Sequence, residues 1–182
     1  MPQSLYLWTD IPRVPDALKS PRSDGKGQAN NPSSSRVIVS GMTHFLLTDA
    51  LQEALRQAAR AARLNAYAPY SGFRVGAAVL DEQGRIHAGC NVENAAYPEG
   101  LCAEAGALSA MVLAGSTRAR AVLVVGAGGA WITPCGGCRQ KLREFCAPDT
   151  PILTANDEVM GPRYTLAQLL PESFGPDHLS TP

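Results

Sequence analysis

The chain has no excess of charge of either sign: sixteen lysines and arginines are matched by sixteen aspartates and glutamates. A protein that grips a nucleic-acid backbone carries surplus basic side chains, because each phosphate contact is paired with a cation. The balance here excludes a nucleic-acid partner and points to a small, roughly neutral ligand. Long apolar runs are missing as well. Nothing approaches the roughly 18 consecutive apolar residues of a spanning helix, so no membrane partner is expected. The opening MPQSLYLWTDIPRVPDALK is broken by Asp10, Arg13 and two internal prolines, and lacks the unbroken apolar core of a secretory signal. A disulfide framework is absent too. Five cysteines is an odd number, their spacing is not that of a stapled scaffold, and a reducing cytoplasm with thiols kept for metal is the better reading.

What is present divides the chain. Residues 1–41 include PRSDGKGQANNPSSSR, which has little to bury and reads as a disordered extension. Met42 opens a natural domain start, so 1–41 is either dispensable or translated from an early start codon. An organelle transit peptide is disfavoured, since five prolines oppose the amphipathic helix such peptides form. The domain is expected over 42–176, with 177–182 as a flexible tail. From Thr48, a fitting N-cap, Leu51, Ala54, Leu55, Ala58 and Ala62 recur at helical spacing, and the pattern fades before Pro69. FRVGAAVLDEQGRIHAGCNV predicts a hairpin turning at Asp81–Gly84. LCAEAGALSAMVLAG predicts a buried helix ending at Gly115, and RAVLVVGAG a buried strand. CGGCRQKLREFC begins a second helix, PILTAND is another strand, and TLAQLLPESF is a short helix. Strand, helix and strand after residue 119 imply a right-handed parallel crossover, hence a mixed sheet with helices on both faces.

ITPCGGCRQKL, residues 132–142, places Cys135 and Cys138 two residues apart behind a proline. Alone, such a pair fits a redox disulfide, a structural zinc or a catalytic zinc. Cys146 lies two turns further along the same helix, and Cys90 falls late in a strand where a small thiol packs as core. His44 and His178 lie near the domain's ends, and His87 is in the hairpin. Cys102 differs. It opens a helix, and Glu104 follows within an otherwise apolar segment, where an isolated carboxylate is costly without a partner or a task. Cys-x-Glu followed by Pro-Cys-x-x-Cys is the arrangement of the zinc-dependent nucleobase deaminases, with cysteine where many have histidine. Three protein ligands leave a fourth tetrahedral position open, as a catalytic zinc site requires. A thioredoxin-like redox pair leaves Cys102 and Glu104 unexplained.

From about Leu47 to about Phe174 the chain resembles the small, homotetrameric cytidine deaminases of the three-cysteine zinc type. YAPYSGFRVGAAV, GCNVENAAYPEGLCAEA and TPCGGCRQKL follow that family's order and spacing. The resemblance implies a three-layer α/β/α sandwich with a mixed sheet of about five strands. It implies a cytoplasmic homotetramer in which neighbouring subunits complete one another's active sites. One Zn²⁺ per subunit is implied on Cys102, Cys135 and Cys138, with Glu104 as the catalytic proton carrier. The implied reaction is hydrolysis of cytidine and 2′-deoxycytidine to uridine and 2′-deoxyuridine with release of ammonia, as in pyrimidine salvage. Asn91 and Glu93 are implied to hold the ribose 3′-hydroxyl, Phe73 to flank the base, and Ala103 and Tyr97 to touch the ligand through their backbones. Phe174 matches an aromatic that reaches into a neighbouring subunit's pocket, and Arg139 and Gln140 are supporting residues.

The chain departs from the family at Ala105, where an arginine often follows the catalytic glutamate. Balancing three thiolate charges is then left to the helix starts at Cys102 and Cys135, with Arg139 a candidate for added charge. Two alternatives stay open at this stage. One is a deaminase of a cytosine nucleoside antibiotic of the blasticidin type. The other, from a different class, is a catalytically silent zinc module, which predicts a filled fourth coordination site and indifference to Glu104→Gln. The NVEN segment favours a nucleoside, because it supplies ribose-type contacts.

Overall fold

The computed structural model describes residues 46–129 and 131–179. The 1–41 extension, the domain start at Met42 and residues 180–182 of the tail lie outside the described residues. In chain order come α1 (Asp49–Leu64), β1 (Gly76–Asp81), β2 (Ile86–Cys90), α2 (Ala103–Leu113), β3 (Ala119–Val125), α3 (Gly136–Phe145), β4 (Pro151–Ala155), β5 (Met160–Thr165) and α4 (Leu166–Leu169). Single 3₁₀ turns form at Tyr97–Glu99 and Pro176–His178. The five strands make one sheet in the order β2-β1-β3-β4-β5. The β3–β4 pair is parallel, joined through α3, and the other three pairs are antiparallel.

Period-two alternation explains the layers. On one face of the sheet, Ala78 and Leu80 of β1 with Ala121, Leu123 and Val125 of β3 pack beneath Leu55 and Ala59 of α1. On the other, Ala77, Val79, Val122 and Val124 pack against Ala107, Leu108 and Met111 of α2 and Leu142 of α3. Central strands buried on both faces carry no polar alternation, which is why they read as continuous apolar runs. Helix α1 begins where Thr48 Oγ1 accepts the Leu51 N–H at 3.3 Å, with Asp49 in the first turn facing the positive end of the dipole.

Two glycines set how closely the helices approach. A Cβ on Gly76 would lie 1.9 Å from the Ala59 carbonyl of α1, and one on Gly89 would lie 2.3 Å from the Ala107 nitrogen of α2. Both are contacts that only glycine permits. Strand β5 was not evident in the sequence, because Gly161 and Pro162 interrupt it. It is an edge strand, where a missing N–H is tolerated. Part of the expected tail is attached to the body: Asp177 pairs with Arg143 of α3, and the His178 ring stacks on Phe174 at 5.2 Å.

Candidate active site

Cys102 is the N-cap of α2 and Cys135 the N-cap of α3, so both helix starts converge on one spot. The Sγ atoms of Cys102, Cys135 and Cys138 all lie within 4.8 Å of one another. Among the described residues, no other group of histidine, cysteine or acidic side chains is gathered this way. Cys102 and Cys135 are 3.8 Å apart, far beyond a disulfide bond. With Zn–S bonds of about 2.3 Å, two sulfurs of a tetrahedral site stand about 3.8 Å apart, so the cluster has the spacing the ion requires. Cys138 is buried, and its burial pushes the thiol well above the ordinary range, an effect the Glu104 carboxylate reinforces. A divalent cation turns that repulsion into attraction. The donor set therefore fits zinc, and three sulfurs leave one tetrahedral position open.

Glu104 falls in the first turn of α2 and is only 4 % exposed. Its Oε2 accepts from Cys138 Sγ at 3.3 Å, which places the carboxylate at the edge of the cluster. The remaining thiols stand apart. Cys146 is core, its pKa pushed up to about 12 by burial, and Cys90 is half-buried in β2.

Arg139 does not reach the sulfurs. Its Nε donates to the Pro134 carbonyl at 2.7 Å, and its two terminal nitrogens donate to the Leu169 carbonyl at 2.8 Å and to Thr133 Oγ1 at 3.0 Å. It straps the 133–134 loop to α3 and α4, and so shapes the approach to Cys135 rather than its charge. The sulfurs face the helix starts, where the Cys138 backbone N–H holds Cys135 Sγ and lowers that thiol against the opposing effect of its burial. Ala105 is buried on α2.

A bridge between Val92 and Leu101, with N–H···O contacts of 2.9 and 2.8 Å, carries the NVEN segment back beside Cys102. Asn91 Nδ2 donates to the Phe73 carbonyl at 3.0 Å, and its Oδ1 accepts the Val75 N–H at 2.8 Å. Glu93 accepts the backbone N–H groups of Tyr70 at 2.9 Å and Ser71 at 3.2 Å, and the Ser71 hydroxyl as well. The Ser71 hydroxyl is the main cause of a carboxyl held below its usual value. Glu93 borders a cavity of about 390 Å³ lined by Tyr70, Ser71, Asn94, Tyr97 and Gly100. Tyr97 packs edge-on to Tyr70, ring centres 6.1 Å apart.

Phe73 is exposed, whereas Ala103 is fully buried at the start of α2. Phe174 is 59 % exposed, and Gln140 Nε2 donates to its carbonyl at 3.0 Å. Tyr70 and Ser71 were not singled out from the sequence. The signal was there in YSGF, a hydroxyl two residues before the exposed aromatic, but serine in a loop is too common to stand out.

Residues 49–154 match the family described as the cytidine and deoxycytidylate deaminase zinc-binding region. The cytidine deaminase of Sporosarcina psychrophila is 41 % identical over 128 residues, covering 70 % of this chain and 94 % of that protein. The cytidine deaminase of Mycobacterium tuberculosis is 43 % identical over 125 residues, covering 69 % and 90 %. A crystal structure of cytidine deaminase from Burkholderia pseudomallei, 42 % identical, aligns with a TM-score of 0.64 over 67 % of this chain and 98 % of that one. With the likeness running through sequence and fold together, the chain belongs to the cytidine and deoxycytidylate deaminase family and carries its zinc-binding region.

Proposed function

We propose that the chain hydrolyses cytidine and 2′-deoxycytidine to uridine and 2′-deoxyuridine with release of ammonia, and that Glu104 is its catalytic acid and base. The observation that carries this reading is the buried Glu104 carboxylate at the edge of a three-sulfur cluster with one position open. Zn²⁺ on Cys102, Cys135 and Cys138, one per subunit, supplies a Lewis acid that brings the pKa of a water from about 15.7 towards roughly 7. Glu104 takes a proton from the water that adds to C4 of the base and hands it to N3. It then carries the second proton to the departing exocyclic amine, the C4–N bond breaks, and the carboxylate is regenerated.

Hydrogen-bond arithmetic supports the sugar contact. Among the described residues, Asn91 Nδ2 spends one N–H on the Phe73 carbonyl and keeps one. A carboxylate offers about four acceptor sites, and the described residues occupy three of those of Glu93. One spare donor and one spare acceptor together complement a hydroxyl, which needs both, and the ribose 3′-hydroxyl is that group. Phe73 flanks the base, and the backbones of Ala103 and Tyr97 meet the ligand. The residues lining the cavity include a carboxylate and no lysine or arginine, which favours a nucleoside over a nucleotide.

Assembly follows from what is left uncovered. Val112 and Leu113 of α2 are 46 % and 90 % exposed, and Tyr67, Tyr70, Phe73, Tyr97 and Leu101 are exposed around the site. Apolar groups on this scale mark a surface made for a partner. A homotetramer covers them, with Phe174, held by Gln140 on the helix that Arg139 braces, entering a neighbour's pocket. The deaminase domain is 42–176. All five thiols are free, and Cys102 and Cys135 are exposed. Such a site suits the reducing cytoplasm, where pyrimidine salvage takes place. The test is ammonia release from cytidine and 2′-deoxycytidine by the purified chain, stopped by a chelator and restored by Zn²⁺. Zinc-loaded protein that releases none from either nucleoside would sink the reading.

A further inference from the structure

Ser71 joins the two halves of the substrate site. Its hydroxyl donates to Oε1 of Glu93 and accepts the Phe73 backbone N–H at 2.9 Å. Its own backbone N–H reaches the other carboxylate oxygen, Oε2, at 3.2 Å, beside the Tyr70 N–H at 2.9 Å. The two acceptor sites of Oε2 are thereby filled, and among the described residues Oε1 has one filled by Ser71 and one open.

We infer that Ser71 is a positioning residue for sugar recognition: its hydroxyl aims the open acceptor site of Glu93 at the sugar hydroxyl. The inference rests on the reading of Glu93 as the 3′-hydroxyl contact. Without the Ser71 hydroxyl, the carboxylate is held through Oε2 alone, turns about that attachment, and shares Oε1 with water. A hydroxyl then meets a disordered acceptor in place of a fixed one. Phe73 is affected less. Its N–H loses an acceptor, but its carbonyl stays bonded to Asn91 Nδ2, and Val75, two residues on, still donates its N–H to Asn91 Oδ1. Ser71 is exposed, so alanine there opens no cavity in the core. The effect of the substitution therefore falls on the sugar and not on the fold or the zinc cluster.

The experiment compares the zinc-loaded wild type, Ser71→Ala and Glu93→Gln as full chains. It measures the Kd of uridine and of 3′-deoxyuridine by calorimetry, and KM and kcat for cytidine. Ser71→Ala is expected to weaken uridine about tenfold, the scale of one hydrogen bond to a charged group, and to raise the cytidine KM alike. Binding of 3′-deoxyuridine and kcat should stay within about twofold, because neither involves the aimed acceptor. Equal weakening of both nucleosides would overturn the inference, since it would place the effect on the base side or on the loop. So would unchanged uridine binding in Ser71→Ala while Glu93→Gln loses the preference for the hydroxyl. If Glu93→Gln keeps the wild-type ratio of the two affinities, the sugar reading of Glu93 itself fails, and the role of Ser71 falls with it.

Discussion

Among the described residues two carboxylates are buried, Asp81 and Glu104, and their surroundings differ sharply. Burial alone would raise Asp81, but it accepts from Gln83 N, Arg85 N and Nε, His87 Nε2 and Ser116 Oγ, each at 2.8–2.9 Å. Those bonds outweigh burial and hold its carboxyl well below the ordinary range. A depressed carboxyl stabilises the fold fully above its unfolded value, near 3.8, and that contribution is lost as pH falls through and below it. Asp81→Asn is expected to cost about 2–3 kcal/mol at pH 7 and to flatten the decline in stability below about pH 4. Urea melts at pH 7 and pH 3.5 measure both, and a variant matching the wild type at each pH would refute the role. Glu104 has no such company. Its one hydrogen-bond partner among the described residues is Cys138 Sγ, so its burial is not repaid by hydrogen bonds as that of Asp81 is. An acid in the apolar segment LCAEAGALSAMVLAG stands out in the sequence as a candidate site residue, whereas Asp81 in a turn gives no sign there of being a buried hub.

Among the elements, β2 and α2 are the pair on which the site depends. Gly89 lets them touch, since a Cβ there would lie 2.3 Å from the Ala107 nitrogen and 2.6 Å from the Ala103 carbonyl. Both atoms are helix backbone and cannot swing aside. Gly89→Ala is therefore expected to push the start of α2 outward, taking Cys102 and Glu104 with it. The expected cost is about 1–3 kcal/mol, with zinc content reduced. Thermal melting and metal analysis on one preparation check it; a variant with wild-type Tm and full zinc would show that the helix has room. Elements with a strong period were readable in advance: α1 from its apolar spacing and Thr48 cap, and the hairpin from its turn. β5 was not, because Gly161 and Pro162 mask a strand that exists by pairing with β4. The partners of Arg139 were not legible for a related reason. Sequence proximity to Cys138 suggested a thiolate partner, but the guanidinium turns to the carbonyls of Pro134 and Leu169, the latter thirty residues on.

Taken whole, the molecule is a sheet whose helices α2 and α3 begin at the same point and deliver three sulfurs and one carboxylate there. This much could be read from residue type and spacing, because metal ligands and isolated buried acids are rare and costly. The sugar side could not be read from residue type alone, since a polar turn and a hydroxyl-binding turn contain the same residues. The hydrogen-bond count on Asn91 and Glu93 is what supports the proposed sugar contact. Glu104→Gln tests the whole arrangement most directly, with zinc content and ammonia release from cytidine measured on one sample. The amide keeps the shape and the burial but cannot move protons, so the variant should retain one zinc per chain and release ammonia about 10²–10⁴-fold more slowly. Wild-type release from a zinc-loaded Glu104→Gln chain would show that the buried carboxylate is not the proton carrier.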